Sequence, residues 1–227
     1  MPMSPITNLW DSYREHTDLI NGAAIIEDGI VDKERWETAP RKVLILLKDP
    51  HDEDPNHKWN LVDTIRDGNW SRKASQKIWN TAGQMAFAIQ NWDRRNFPGF
   101  PLESKESKDE SRNALLQCAV VNIKKTGGGS AAKPEEILRW ARETEDLLLS
   151  QIREINPEII LCGYTWRYIK RYWKNVNKIA RAVYKPDDYF CIDYYHPANR
   201  YPNLLNYYAL GGIMISSGLV DEVPKRM

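Results

Sequence analysis

Four short apolar runs, with helical patterns between them, constrain this chain more than any other feature: "KVLILL" (Lys42 to Leu47), "CAVVNI" (Cys118 to Ile123), "EIILCG" (Glu158 to Gly163) and "YFCIDY" (Tyr189 to Tyr194). The first three are nearly continuous in valine, isoleucine and leucine, as strands covered on both faces tend to be. Between them, "SRKASQKIWNTAGQMAFAIQNW" offers Ser71 as an N-cap and places Ile78, Ala82, Met85 and Ile89 on one stripe. The segment from Pro134 to Ile155 has proline at a first helical position, glutamates in its first turn and one apolar face, which predicts a single helix. Further helical patterns cover about 165–184 and 203–217. Alternating strands and helices predict a three-layer α/β/α sandwich around a mainly parallel four-stranded sheet. Residues 1–40 read as a leading helical extension, and "PLESKESKDESR" as an exposed connection.

A chain of 227 residues with no linker-like stretch predicts one domain, 1–227. Lysine and arginine number 32 against 31 aspartates and glutamates, so any attraction to nucleic acid must come from local clustering. No apolar run has the length of a membrane span, and the first residues lack the apolar core of a signal peptide, so a cytoplasmic protein is expected. Cys118, Cys162 and Cys191 each lie in an apolar run without metal-ligand spacing, as small core residues do.

In parallel sheets, ligands bind where the strands end at their carboxyl termini. The first run ends on Lys48, Asp49, Pro50 and His51; the second on Asn122 and "KKTGGGS"; the third on Gly163; the fourth on "YYHPANRYP" with His196. A carboxylate, an amide and an imidazole would thus meet at one edge, as a catalytic site requires. Taken singly, Asp49 before a proline reads equally as a turn residue, Asn122 as a loop cap and His196 as a semi-buried histidine. "TGGGS" reads as a flexible turn or as an anion-binding nest, though it lacks the lysine-serine ending of a P-loop.

The ordered motifs "LLKDPH", "VVNIKKTGGG", "PEIILCGYTW" and "YHPANR" resemble those of the uracil-DNA glycosylase superfamily, over roughly Val43 to Tyr201. The resemblance implies a uracil-DNA glycosylase-like fold and a monofunctional DNA glycosylase that leaves an abasic site. Asp49 would orient a water and stabilise the sugar cation. Asn122 would read the base edge in a pocket shared with Lys48, His51 and Gly163, and His196 would hydrogen-bond the departing base. It implies double-stranded DNA with a flipped base as partner and no metal or cofactor; the four cysteines that hold an iron-sulfur cluster in some branches are missing, so no such cluster is expected. The chain departs from the pattern in three ways. His51 stands where the best-known members carry a tyrosine that crowds 5-substituted bases, which admits a larger modified pyrimidine. Leu47 and Lys48 replace the usual glycine-glutamine. The DNA-wedging leucine is not apparent after His-Pro, so Asn199, Arg200 or Tyr201 would fill the vacated stack. These departures leave uracil itself open as the substrate, and the chain looks compatible with the bacterial anti-phage branch, which removes modified, including glucosylated, cytosines.

For DNA contacts, Arg167, Arg171, Lys174, Lys178, Arg181 and Lys185 recur at three- and four-residue steps and predict a basic helical stripe, interleaved with aromatics. A solvated helix face reads the same way. Lys124, Lys125, Ser130 and Arg200 would add polar and positive groups at the cleft mouth, and Trp59 and Trp70 could line a pocket or a groove. A catalytically silent nucleic-acid-binding module of the same fold is the alternative. A nucleotide-processing enzyme using "TGGGS" for phosphate ranks behind both.

Overall fold

The computed structural model describes residues 8–52, 54, 56–68, 73–101, 105–128 and 133–226. In chain order its elements are α1 (Leu9–Arg14), α2 (Thr17–Ile20), β1 (Gly29–Ile30), α3 (Lys33–Glu37), β2 (Val43–Leu47), α4 (Leu61–Asp67), α5 (Lys73–Asn91), α6 (Lys105–Leu116), β3 (Cys118–Asn122), α7 (Pro134–Glu143), α8 (Glu145–Ile155), β4 (Ile159–Gly163), α9 (Trp166–Ile169), β5 (Asn177–Ala180), β6 (Val183–Lys185), β7 (Phe190–Tyr194), α10 (Asn203–Ser216) and α11 (Leu219–Glu222). The strands form one mixed seven-stranded sheet in the order β1-β3-β2-β4-β7-β6-β5.

The four apolar runs are the middle of this sheet and are mutually parallel, β2 pairing with β3 and β4, and β4 with β7. The sheet is wider than four strands because antiparallel partners extend it: β1 at one edge, and a β5–β6 hairpin beside β7 at the other. Every residue of β2, β3 and β4 is buried, since helices cover both faces. Alternate side chains enter separate clusters. Val43, Ile45 and Leu47 pack with Ala82, Met85 and Ile89 of α5 and with Leu210 and Met214 of α10. Leu44 and Leu46 pack with Ile137, Trp140, Leu148 and Ile152 of α7 and α8. Among the described residues no helix is long and apolar enough to cross a membrane.

Three expected elements differ. The helix expected over 165–184 stops after α9 and a 3-10 turn at Lys170–Tyr172, and the rest forms the β5–β6 hairpin. There is therefore no basic helical stripe. Arg167 lies toward the carboxyl ends of the strands, whereas Lys185 lies over Phe190, at the amino end of β7. The polar 105–116 segment is the helix α6, whose charged face is solvated while Ala114, Leu115 and Leu116 are buried. The long helix expected over 134–155 is two helices, broken at Thr144 (φ −117°, ψ 26°), whose hydroxyl donates to the Trp140 carbonyl at 2.9 Å. Ser71, the expected N-cap of α5, lies outside the described residues.

Candidate active site

The strand order sets Asn122, Asp49, Gly163 and His196 side by side at the ends of β3, β2, β4 and β7. From β3 to β7 this edge spans roughly 14 Å, three inter-strand spacings. The connection leaving β2 runs to β3 on one side, and the next returns to β4 on the other, so Asp49 and Gly163 stand at the topological switch point.

Two loops are laced together there. The Ile123 and Lys124 amides donate to the Leu47 and Lys48 carbonyls at 3.0 and 2.8 Å, Gly128 N–H to Pro50 O at 2.9 Å, and Asp52 N–H to Gly128 O at 3.1 Å. A Cβ on Gly128 would lie 2.0 Å from Asp49 Oδ2 and 2.8 Å from its Cγ, so a larger residue here would push the carboxylate out of its present position. The Gly128 amide is thus committed to a carbonyl and not to an anion, which removes it from the phosphate-nest reading. Gly129, Ser130 and Trp70 lie outside the described residues. Gly163 performs the matching task on the other side: a Cβ there would sit 2.8 Å from Leu47 Cδ2 and 3.5 Å from His196 Cα. Behind it, the buried Thr165 hydroxyl donates to the Leu46 carbonyl at 2.9 Å, tying the end of β4 to β2.

Each candidate group has a distinct electrostatic state. Burial raises the Asp49 pKa above the usual carboxylate value, opposed by the nearby Lys124 and Lys48 charges. Asn122 is 2 % exposed, and its side-chain Oδ1 has no hydrogen-bond partner among the described residues. A buried carbonyl is costly unless a ligand or a water supplies the donor. His196 is held down to about 4, first by burial and then by the Lys48 charge, so the ring is neutral at physiological pH. Its Nδ1 accepts from the Ala198 N–H at 3.0 Å, which leaves the proton on Nε2. Lys48 acts on both Asp49 and His196; burial lowers its own pKa, and its Nζ lies 5.5 Å from the Tyr164 ring centroid. His51 is exposed, with its charge bearing on Asp49.

The neutral histidine has a consequence for stability. Its folded pKa lies below the roughly 6.5 of an unfolded chain, so as pH falls the unfolded chain takes up this proton first. The stabilisation is complete above about pH 6.5 and is lost toward pH 4, amounting to about 3 kcal/mol. Urea unfolding at pH 7.5 and 4.5 should show a correspondingly steeper loss in the wild type than in His196→Gln; equal losses would contradict the assignment.

Several expected DNA contacts are placed differently. Lys125 is fully buried: its Nζ bonds Asp28 Oδ1 and Oδ2 at 2.8 and 3.0 Å and Gln151 Oε1 at 2.9 Å, so it reaches no phosphate. Lys124 is 9 % exposed and pairs with Glu136 at 2.9 Å beside Asp49, an electrostatic neighbour of the carboxylate and not a cation at the cleft mouth. Asn199 shapes its own loop: Nδ2 donates to His196 O at 2.8 Å, and Oδ1 accepts from Tyr201 N–H at 2.9 Å and Asn206 Nδ2 at 3.2 Å. Arg171 faces Glu145 at 3.4 Å, and Arg167 donates to the Tyr168 hydroxyl at 2.6 Å. Lys174, Arg200 and Tyr201 are exposed. Trp59 donates to Asp52 at 2.6 Å and lines a cleft of about 620 Å³ shared with Ile20, Ile25 and Lys58.

One residue of the site had no sequence signal. Asp28, just before β1, accepts the Asn122 backbone N–H on Oδ2 at 2.8 Å. The Asn122 amide points away from β2, and the two-residue β1 is too short to meet it, so a carboxylate from the edge does so. Asp28 thereby fixes the backbone that aims Asn122, while Lys125 and Gln151 neutralise and satisfy it.

No protein-family model matches the chain, and no curated protein matches it.

Proposed function

We propose that this protein is a monofunctional DNA glycosylase acting on a modified or deaminated pyrimidine, on a uracil-DNA glycosylase-like three-layer fold. The observation that carries this reading is the set of complementary groups at one sheet edge: a desolvated carboxylate on Asp49, an unpartnered buried amide oxygen on Asn122, and a neutral imidazole with its proton on Nε2. The motif resemblance over Val43 to Tyr201 supports it. Cleaving the C1′–N bond sends the electron pair out with the base and leaves positive charge on the sugar. Asp49 opposes that charge and accepts a proton from the water that adds to C1′, while His196 Nε2–H donates to the base oxygen that gains the negative charge. The orphan Asn122 oxygen suits a base N–H, and an exposed His51 where the resembled family carries a crowding tyrosine is compatible with a 5-substituent. An anti-phage role against modified cytosine follows if that substituent is large.

The test is incubation with duplexes carrying uracil, hydroxymethylcytosine or glucosylated hydroxymethylcytosine, followed by alkaline cleavage at abasic sites. Strand scission on at least one is expected. No product from folded protein would overturn the reading, and salt-sensitive DNA binding without base release would leave the silent binding module. Asn122→Ala, which removes the base-reading amide, is expected to slow release on the preferred base by roughly ten- to a hundredfold, the size of one or two lost buried hydrogen bonds. An unchanged rate would remove Asn122 from the site.

A further inference from the structure

Beside the ends of β4 and β7, next to Gly163 and His196, lies an exposed aromatic ledge. Tyr164, Tyr195 and Tyr201 are 44, 36 and 50 % exposed. Their rings are contiguous, with centroids 5.6 Å apart for Tyr164–Tyr195 and 4.8 Å for Tyr195–Tyr201. The core shows that this chain can bury tyrosine, since Tyr13 and Tyr207 are wholly enclosed. The ledge is held in place by its backbone. Tyr164 has φ +63°, a region that bulky side chains rarely enter, and its N–H donates to Tyr194 O at 2.8 Å and Cys162 O at 2.9 Å. The Tyr201 N–H is fixed by Asn199 Oδ1 at 2.9 Å.

Cations border these rings. Lys48 lies beneath Tyr164, Arg200 adjoins Tyr201 in the chain, and Arg181 is close enough for its charge to act on the Tyr195 hydroxyl. Arg181 arrives by way of the hairpin. Because Val183 pairs with Ile192 and Ala182 O accepts the Asp193 N–H at 2.8 Å, the β5–β6 turn stands at the carboxyl end of β7, next to Tyr195.

Adjacent aromatic faces with a cationic rim are suited to unstacked bases on the rings and phosphates on the cations. A duplex keeps its base faces stacked inward and offers none to such a surface. We infer that the Tyr164–Tyr195–Tyr201 ledge, with Arg181 and Arg200 on its rim, binds an unpaired DNA strand, holding the nucleotides beside the target once the duplex has opened. The inference rests on the glycosylase reading only for what the neighbouring site does, so its test uses unmodified DNA and no turnover.

Fluorescence anisotropy with a labelled oligothymidine 20-mer and with a mixed-sequence 20-base-pair duplex measures both affinities. Wild-type protein should bind the single strand more tightly. Tyr195→Ala and Tyr201→Ala should each weaken single-strand binding by roughly five- to 150-fold, the loss of one base–aromatic stack, while Tyr195→Phe retains it. Arg181→Ala should reduce the slope of log K against log salt by about 0.7 on the single strand. Equal or tighter duplex binding, or tyrosine variants that fold and bind like wild type, would overturn the ledge. If no base is released from any modified duplex but single-strand binding still depends on the tyrosines, the glycosylase reading fails and the ledge stands.

Discussion

Asp49→Asn is expected to lower base release by roughly 10²–10⁴-fold, the usual contribution of a positioned acid or base, while DNA affinity changes by only a few-fold. The substitution keeps the shape of the side chain but removes the charge that opposes the sugar cation and the site that receives the water's proton. Equal losses of cleavage and binding would contradict this assignment. The pH dependence has a definite sign. Asp49 must be ionised to act, and burial raises its pKa, so the rate should fall as pH drops through a value above that of an ordinary carboxylate. His196, neutral down to about pH 4, should add no second limb between pH 5 and 8. Because the folded state destabilises the ionised carboxylate, Asp49→Asn should leave the protein at least as stable at pH 7. Activity falling while the melting temperature holds or rises is the pattern of a functional charge. A fall in both would mark Asp49 as structural.

The largest expected effect on stability lies behind the site. Lys125→Met is predicted to cost about 3–5 kcal/mol, because it leaves the Asp28 carboxylate buried without its counter-charge. Urea unfolding measures this as a lower midpoint with an unchanged slope. The double variant Asp28→Asn/Lys125→Met carries no buried charge and should recover most of the loss, since desolvation largely offsets what such a pair contributes. A double variant as unstable as the single one would show that packing, not the unpaired charge, sets the cost. In the double variant the amide of residue 28 can still accept the Asn122 N–H, so base release should survive there and decline in Asp28→Ala/Lys125→Met. Matching rates in these two would remove Asp28 as a positioning residue for Asn122.

The central strands were legible in the sequence because they are covered on both faces. Uninterrupted valine, isoleucine and leucine leaves little else for 42–47, 118–123 and 158–163 to be, and the run at 189–194 differed from β7 by a single residue. The α5 pattern was legible because one of its faces meets one layer of the core. The segment after Thr165 was not. Its cations recur at helical intervals, yet Asn177, Lys178 and Ile179 are exposed, so no buried stripe holds a helix together there, and pairing to β7 makes the residues that follow a hairpin. Lys124 and Lys125 are likewise neighbours with the same chemistry. Only the position of Asp28, 97 residues away, sends one ammonium into the core.

The sequence alone determined which short segments form the heart of the sheet and which polar groups stand just past their ends, since hydrophobic patterning and chain order are local properties. It also carried the motifs on which the family resemblance rests. Tertiary structure alone decided the strand order that lines up Asn122, Asp49, Gly163 and His196, the burial that holds one acid up and one imidazole down, and the fate of each lysine. Those outcomes depend on which distant surfaces exclude water from a charge, and no local window of residues contains that information.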